Sequence, residues 1–143
     1  FFALLLFFII GYIYTIMSIK SPQSLISEAL NQVKTISAEE AFELSENNKC
    51  NLIDIRDSLE LEKEGAVENS FHISRGILEF SIHPDSPFIQ KNGIDLDKEL
   101  VLFCAAGGRS ALAAKTLKEM GFNKVSHIQG GFSSMKNIGF KIK

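Results

Sequence analysis

The residues best suited to covalent chemistry lie in one stretch, Leu100 to Lys115. The apolar run Leu100 to Phe103 leads to Cys104. Ala105, Ala106, Gly107, Gly108, Arg109 and Ser110 follow, and then an alanine-rich amphipathic segment. This order reads as strand, tight loop and helix. A strand ending at the carboxyl edge of a parallel sheet delivers its last side chain to the place where open α/β folds hold ligands. The small residues Ala105 to Gly108 let backbone N–H groups curl around the sulfur as an anion-favouring nest. The helix beginning near Ser110 adds its partial positive charge, and Arg109 adds a full one. A free thiol titrates near about 8.5, and such surroundings lower it to roughly 3.5–7.5. The pattern therefore predicts that Cys104 is a nucleophilic thiolate, with Ala105 to Ser110 binding an anionic substrate. The competing reading is a buried cysteine that closes a core strand.

Other chemistries are poorly represented. His72, His83 and His127 show no metal-ligand spacing, so no metal is expected and the three read as surface or packing residues. There is no G-x-G-x-x-G, and the Gly107 to Ser110 run lacks the lysine and spacing of a Walker loop. No cofactor is implied. A net charge of −2 with interspersed signs gives no footprint for nucleic acid. Two cysteines without C-x-x-C spacing suggest neither a disulfide framework nor a zinc site, and suit a reducing compartment. Cys50 reads as structural.

The elements that must position Cys104 follow from pattern. Ser21-Pro22 starts a helix that runs, by the spacing of Leu25, Ile26, Ala29, Leu30 and Val33, to Lys34. This helix either joins the N-terminal segment to the domain or stands as a solvated stalk. Ser37 to Glu40 is a capping box opening a helix to about Ser45. Asn51 to Ile55 reads as a buried parallel strand. Asp54 and Arg56 at its end either line the pocket rim or pin loop backbone through hydrogen bonds. Ser58 to Gly65 forms a short helix with Glu60 and Glu64 on a solvated face. Ser70 to Ile73 is a short strand, followed by a helix over Arg75 to Ile82 with Ile77, Leu78 and Phe80 inward. Arg75 is a candidate second cation for the substrate; a surface pair with Glu79, four residues on, competes. His83 to Pro87 is a turn-rich loop. After the cysteine loop, Leu112, Ala113, Thr116, Leu117 and Met120 share a helical face. Gly121 caps that helix. Lys124 to Ile128 is a last strand, and a helix over Ser133 to Ile138 ends the chain. Alternating strands and helices imply a mainly parallel sheet covered on both faces.

The motif C-x-x-G-x-R-S between strand and helix resembles the active-site loop of the rhodanese (sulfurtransferase) family. Leu52 to Asp57 resembles the family's first core strand and D-x-R turn. Gly121-Phe122 and Gly130-Gly131-Phe132 resemble later landmarks, and Ser74 to Phe80 is similar to a segment of small bacterial single-domain members. The resemblance covers about Ile36 to Lys143 and implies the rhodanese-like fold. Two departures stand out: Gly65 to Ser70 replaces the family's usual G-H-I-P-G-A, and Met135 stands where a tryptophan is usual. Related phosphatases and arsenate reductases carry C-x5-R, whereas four residues separate Cys104 from Arg109 here. The shorter loop resembles the sulfurtransferases, in which the cysteine becomes a persulfide. The resemblance thus implies transfer of a sulfane sulfur from thiosulfate or a persulfide donor, through Cys104, to a thiol, cyanide or a sulfur-accepting protein. In it Asp54 is a structural contributor. A non-turnover carrier or anion-binding module is the alternative, and a phosphatase or arsenate reductase a third.

Phe1 to Ile19 contains no charged residue. As a helix it would span about 28 Å, close to the hydrocarbon thickness of a bilayer. Tyr12, Tyr14 and Lys20 suit an interfacial belt. The expectation is a transmembrane anchor over residues 1–19, with a signal segment or a buried helix as the alternatives, a linker helix over 20–35 and a rhodanese-like domain over 36–143. Lys20 and Lys34 favour a cytoplasmic catalytic domain tethered to the lipid bilayer, a periplasmic one being the alternative.

Overall fold

The structure, a computed structural model, describes residues 1–143 except for the side chains of Ile16 and Met17. Five strands form one sheet: β1 (Lys34–Ile36), β2 (Cys50–Asp54), β3 (Phe71–His72), β4 (Glu99–Phe103) and β5 (Val125–Ile128). Their order is β1-β5-β4-β2-β3, and every pairing is parallel. Parallel neighbours need crossovers, and the described residues form eight α-helices: α1 (Phe2–Met17), α2 (Pro22–Leu30), α3 (Ala38–Glu46), α4 (Ser58–Glu64), α5 (Leu78–Ile82), α6 (Pro87–Asn92), α7 (Gly108–Glu119) and α8 (Gly131–Ile138). The expected α/β architecture is therefore present.

The two faces of the sheet alternate residue by residue, as the pleat requires. Ile53, Leu100 and Leu102 point to one side, where they pack with Ala113 and Leu117 of α7 and with Leu78 and Ile82 of α5. Leu52, Val101 and Phe103 point to the other, against Phe132 and Met135 of α8 and Ala41 of α3. Met135 is fully buried, so a flexible side chain fills the position. Each such leucine or isoleucine contributes roughly 1.5–3 kcal/mol by leaving water.

The expected transmembrane helix is corrected. Helix α1 has 16 residues, about 24 Å at 1.5 Å per residue, short of the ~30 Å hydrocarbon core. It stops because Ser18 adopts an extended backbone and turns its hydroxyl back to donate to the Thr15 carbonyl. Pro22 then begins a separate helix with Ser21 as its cap. No helix among the described residues is long and apolar enough to cross a membrane. The membrane-anchored location, with its cytoplasmic or periplasmic domain, falls with it.

Other differences are local. The helical spacing that predicts a helix to Lys34 ends at Leu30, and the β-branched Val33, Thr35 and Ile36 lie instead in or beside β1. Helix α2 packs on α7, with Ala29 fully buried. Arg75–Ile77 is a 3₁₀ turn before α5. Its tighter winding changes the phase of the following side chains, so Ile77 and Phe80 are exposed while Leu78 and Ile82 are buried. Helix α6 begins at the last residue of the His83-to-Pro87 loop; it is opened by Ser86 and Pro87 and closed by Gly93 in the left-handed region.

Candidate functional site

The chain leaves β2 toward β3 on one side and leaves β4 toward β5 on the other. The carboxyl ends of β2 and β4 therefore flank a topological switch point, the place where open sheets leave a crevice. Cys104 follows the last residue of β4 and Asp54 ends β2. The two parts read separately from the sequence thus meet.

The Cys104 side chain is 1% exposed and wrapped by its loop. Its sulfur accepts the backbone N–H of Gly107 at 3.2 Å and that of Ser110 at 3.4 Å, and the Ser110 hydroxyl lies 3.6 Å away. Both amides belong to the start of α7, a helix of 12 residues whose dipole favours negative charge at this end. Gly107 holds φ +108°, a left-handed conformation natural to glycine, and a Cβ there would press on the Gly130 amide at 3.3 Å. The helix starts two residues before the position expected from sequence, at Gly108, against which Ile26 of α2 packs.

A second strap holds the loop from the far side. Phe132 N–H donates to the Cys104 carbonyl at 2.8 Å and Ser133 N–H to the Ala105 carbonyl at 3.2 Å. Gly131, at φ +52°, permits this approach, because a Cβ would collide with the Cys104 carbonyl. Ala106 is exposed at the tip of the loop.

Arg109 does not point freely into the crevice. Its Nη1 and Nη2 donate to Glu60 Oε2 and Oε1, each at 2.8 Å, in a bidentate pair. Glu60 also accepts the Asp57 N–H at 2.9 Å, so the carboxylate that closes the first turn of α4 holds the arginine of the cysteine loop as well. The Arg109 hydrogen bond holds Glu60 well below the usual range, at about 2, despite partial burial. Arg109 is correspondingly raised, first by the same bond. Sequence reasoning places Glu60 on a solvated face; the Asp57-to-Glu60 cap spacing was the available signal, but its partner lies 49 residues away.

Asp54 and Arg56 are both fully buried. Arg56 Nη2 donates to Asp54 Oδ2 at 2.7 Å and to the Gly65 carbonyl at 2.9 Å, and its guanidinium lies 3.8 Å from the centre of the Phe132 ring. The pair ties the end of β2 to the end of α4 and the start of α8, beneath the loop rather than in it. Arg75 pairs with Glu79 at 2.6 Å and reaches Thr116 Oγ1 at 3.4 Å, and its recorded contacts among the described residues do not include the cysteine loop. Cys50, at the opposite end of the sheet, has its thiol pushed up to about 11 by burial and by Glu99.

His127 is the other side chain that sequence reasoning passed over. It is 2% exposed on β5, with Nδ1 3.2 Å from Ser110 Oγ and Nε2 2.8 Å from Thr35 Oγ1. Burial pushes its pKa down, favouring the neutral ring. A polar residue inside an otherwise buried strand was the signal, since such a group needs partners. No group of residues among those described could hold a metal ion.

The fold recurs in known proteins. The family model for the rhodanese-like domain matches residues 37–138. A protein of unknown function from Rhodopseudomonas palustris, described as a possible tyrosine phosphatase, is 36% identical with a TM-score of 0.76 over 89% of this chain and 98% of its own. A homodimeric polysulfide-sulfur transferase from Wolinella succinogenes is also 36% identical, with a TM-score of 0.64 over 82% of this chain and 83% of its own. A human single-domain sulfurtransferase shares the fold at 21% identity, with a TM-score of 0.65 over 75% of this chain and 98% of its own.

Proposed function

Because the chain belongs to the rhodanese-like domain family, we propose that it is a sulfurtransferase working through a Cys104 persulfide. The observation that carries this reading is the sulfur itself, held at the end of β4 by two N–H groups at the start of α7. Those donors stabilise a thiolate, and the same shell can hold the charge of a persulfide. The Cys104 thiolate attacks the outer sulfur of thiosulfate; a new S–S bond forms, the old one breaks, and sulfite leaves with the electron pair. An acceptor thiolate or cyanide then attacks the outer sulfur of the persulfide and restores the Cys104 thiolate. Polysulfide or another persulfide fits the same step, with the polysulfide shortened by one sulfur, or a thiolate, as leaving group. A sulfur-accepting protein is one natural acceptor.

The possible phosphatase from R. palustris favours a second reading, hydrolysis of an aryl phosphate. Two observations weigh against it. Only four residues separate Cys104 from Arg109, and the arginine is already committed to Glu60.

The test is intact mass of the full chain before and after thiosulfate or polysulfide, beside Cys104→Ser. A gain of one sulfur atom, reversed by cyanide and absent in the folded variant, is expected. No gain with either donor, together with turnover of an aryl phosphate, would replace this reading with the second. A stable persulfide that transfers only slowly to small acceptors would mark a carrier module.

A further inference from the structure

Behind the cysteine loop a line of polar atoms runs through the sheet: Cys104 Sγ, Ser110 Oγ, His127 Nδ1, His127 Nε2, Thr35 Oγ1. The spacings are 3.6, 3.2 and 2.8 Å, the last two on either side of one imidazole. Its middle members, Ser110 and His127, are 0% and 2% exposed. It crosses from the start of α7 through β5 to the edge strand β1, because Thr35 and His127 are partners in the β1–β5 register.

The Ser110 hydroxyl has one hydrogen and three neighbours. The Gly107 carbonyl, at 3.1 Å, can only accept. The sulfur, when anionic, can only accept. The imidazole can do either, according to which nitrogen carries its hydrogen. Two of these neighbours can only accept, so the serine oxygen gains a donor only when the imidazole carries its hydrogen on Nδ1, aimed at Ser110 Oγ; the Thr35 hydroxyl, able to donate or accept, then donates to Nε2. The serine, accepting from His127, then turns its own hydrogen toward Gly107 or the sulfur, and an anionic sulfur is the stronger acceptor. The charged groups around the loop are Arg109, Glu60 and Asp57, with the Asp54–Arg56 pair beneath it; among the described residues the imidazole's hydrogen-bond partners are Ser110 and Thr35.

We propose that His127, braced at Nε2 by the Thr35 hydroxyl, is a positioning residue that holds the Ser110 hydroxyl toward the Cys104 sulfur and so stabilises the thiolate from the sheet side. It acts through Ser110 and touches no substrate. The assignment rests on the reading of Cys104 as the reacting thiolate.

The experiment measures, in the full chain, the rate of Cys104 alkylation by iodoacetamide as a function of pH, located by peptide mass. His127→Leu removes the donor; His127→Asn keeps an N–H near the position of Nδ1. The leucine variant is expected to alkylate about three- to tenfold more slowly at pH 7, with its profile displaced to higher pH. The asparagine variant is expected to stay within about twofold of the wild type. Equal profiles for all three proteins would overturn the assignment, as would equal displacement in both variants, which indicates packing alone. Should His127→Leu not fold, Thr35→Val on the exposed edge strand takes its place, with a displacement in the same direction expected and an unmoved profile overturning the proposal. Sulfur uptake by the wild type is read separately. Its failure would remove sulfur transfer as the function while the alkylation profiles still decide the role of His127.

Discussion

Removing the charge of Glu60 should make the protein better at capturing an anionic sulfur donor and slightly less stable. Glu60 holds Arg109 through two bonds of 2.8 Å, so an anion in the crevice must compete for the guanidinium and also meets the carboxylate's own charge. At an effective dielectric of about 20, two charges ~4 Å apart attract by about 4 kcal/mol. The side chains are 38% and 28% exposed, and solvent screening with lost side-chain freedom brings the net value to about 1 kcal/mol. Glu60→Gln is the informative variant, because glutamine keeps an oxygen for the Asp57 N–H and leaves the cap of α4 intact. The expected result is a rise of about fivefold in kcat/KM for thiosulfate, the factor that ~1 kcal/mol represents. The melting temperature should drop by about 3 °C. The stability readout has a pH signature. Glu60 titrates at about 2 when folded against an ordinary 4.5, so its stabilising contribution is complete above 4.5 and is lost as pH falls toward 2. The melting difference between wild type and variant should therefore close between pH 4.5 and 2. An unchanged or lower kcat/KM, with the stability difference present, would refute the idea that Glu60 and the donor compete for Arg109.

Arg56→Ala should be severely destabilising, by about 3–5 kcal/mol, because it leaves the fully buried Asp54 carboxylate without its partner; urea titration of the soluble fraction measures it. Ser126→Ala should raise stability by about 1 kcal/mol, since the buried Ser126 hydroxyl finds no hydrogen-bond partner among the described residues; a higher denaturation midpoint with an unchanged slope checks it. Cys50, with its thiol pushed up to about 11, should resist iodoacetamide at pH 8 and react only as the solution approaches that value, as peptide mapping across pH would show.

What was legible in the sequence is what local chain order determines. The passage from Leu100 through Cys104 into α7 could be read because strand, nest and helix start are consecutive, and the capping serine of α3 because the N–H that it accepts lies three residues on. Long-range partners were not legible. Nothing near Glu60 announces an arginine 49 residues later, and nothing near His127 announces a serine in one element and a threonine in another. Helix ends were lost for a related reason. The run from Phe1 to Ile19 carries no charge, so composition alone extends the helix, whereas the backbone of Ser18 ends it. Asp54 and Arg56 were read with two alternatives because a strand end can face a crevice or a core; full burial and the Phe132 ring over the guanidinium place them below the loop.

The edge strand has a practical consequence. The family match begins at residue 37, one residue after β1 ends. A chain trimmed to that boundary would lose α1 and α2 along with Lys34 to Ile36 and turn β5 into the rim of the sheet, with its backbone N–H and C=O groups facing solvent on the side that β1 now occupies. Unprotected rims recruit strands from other molecules. Such a trimmed protein should self-associate more strongly with rising concentration than the chain that retains β1, so sedimentation of the two at matched concentrations would show how far the segment before residue 37 keeps this sheet to itself.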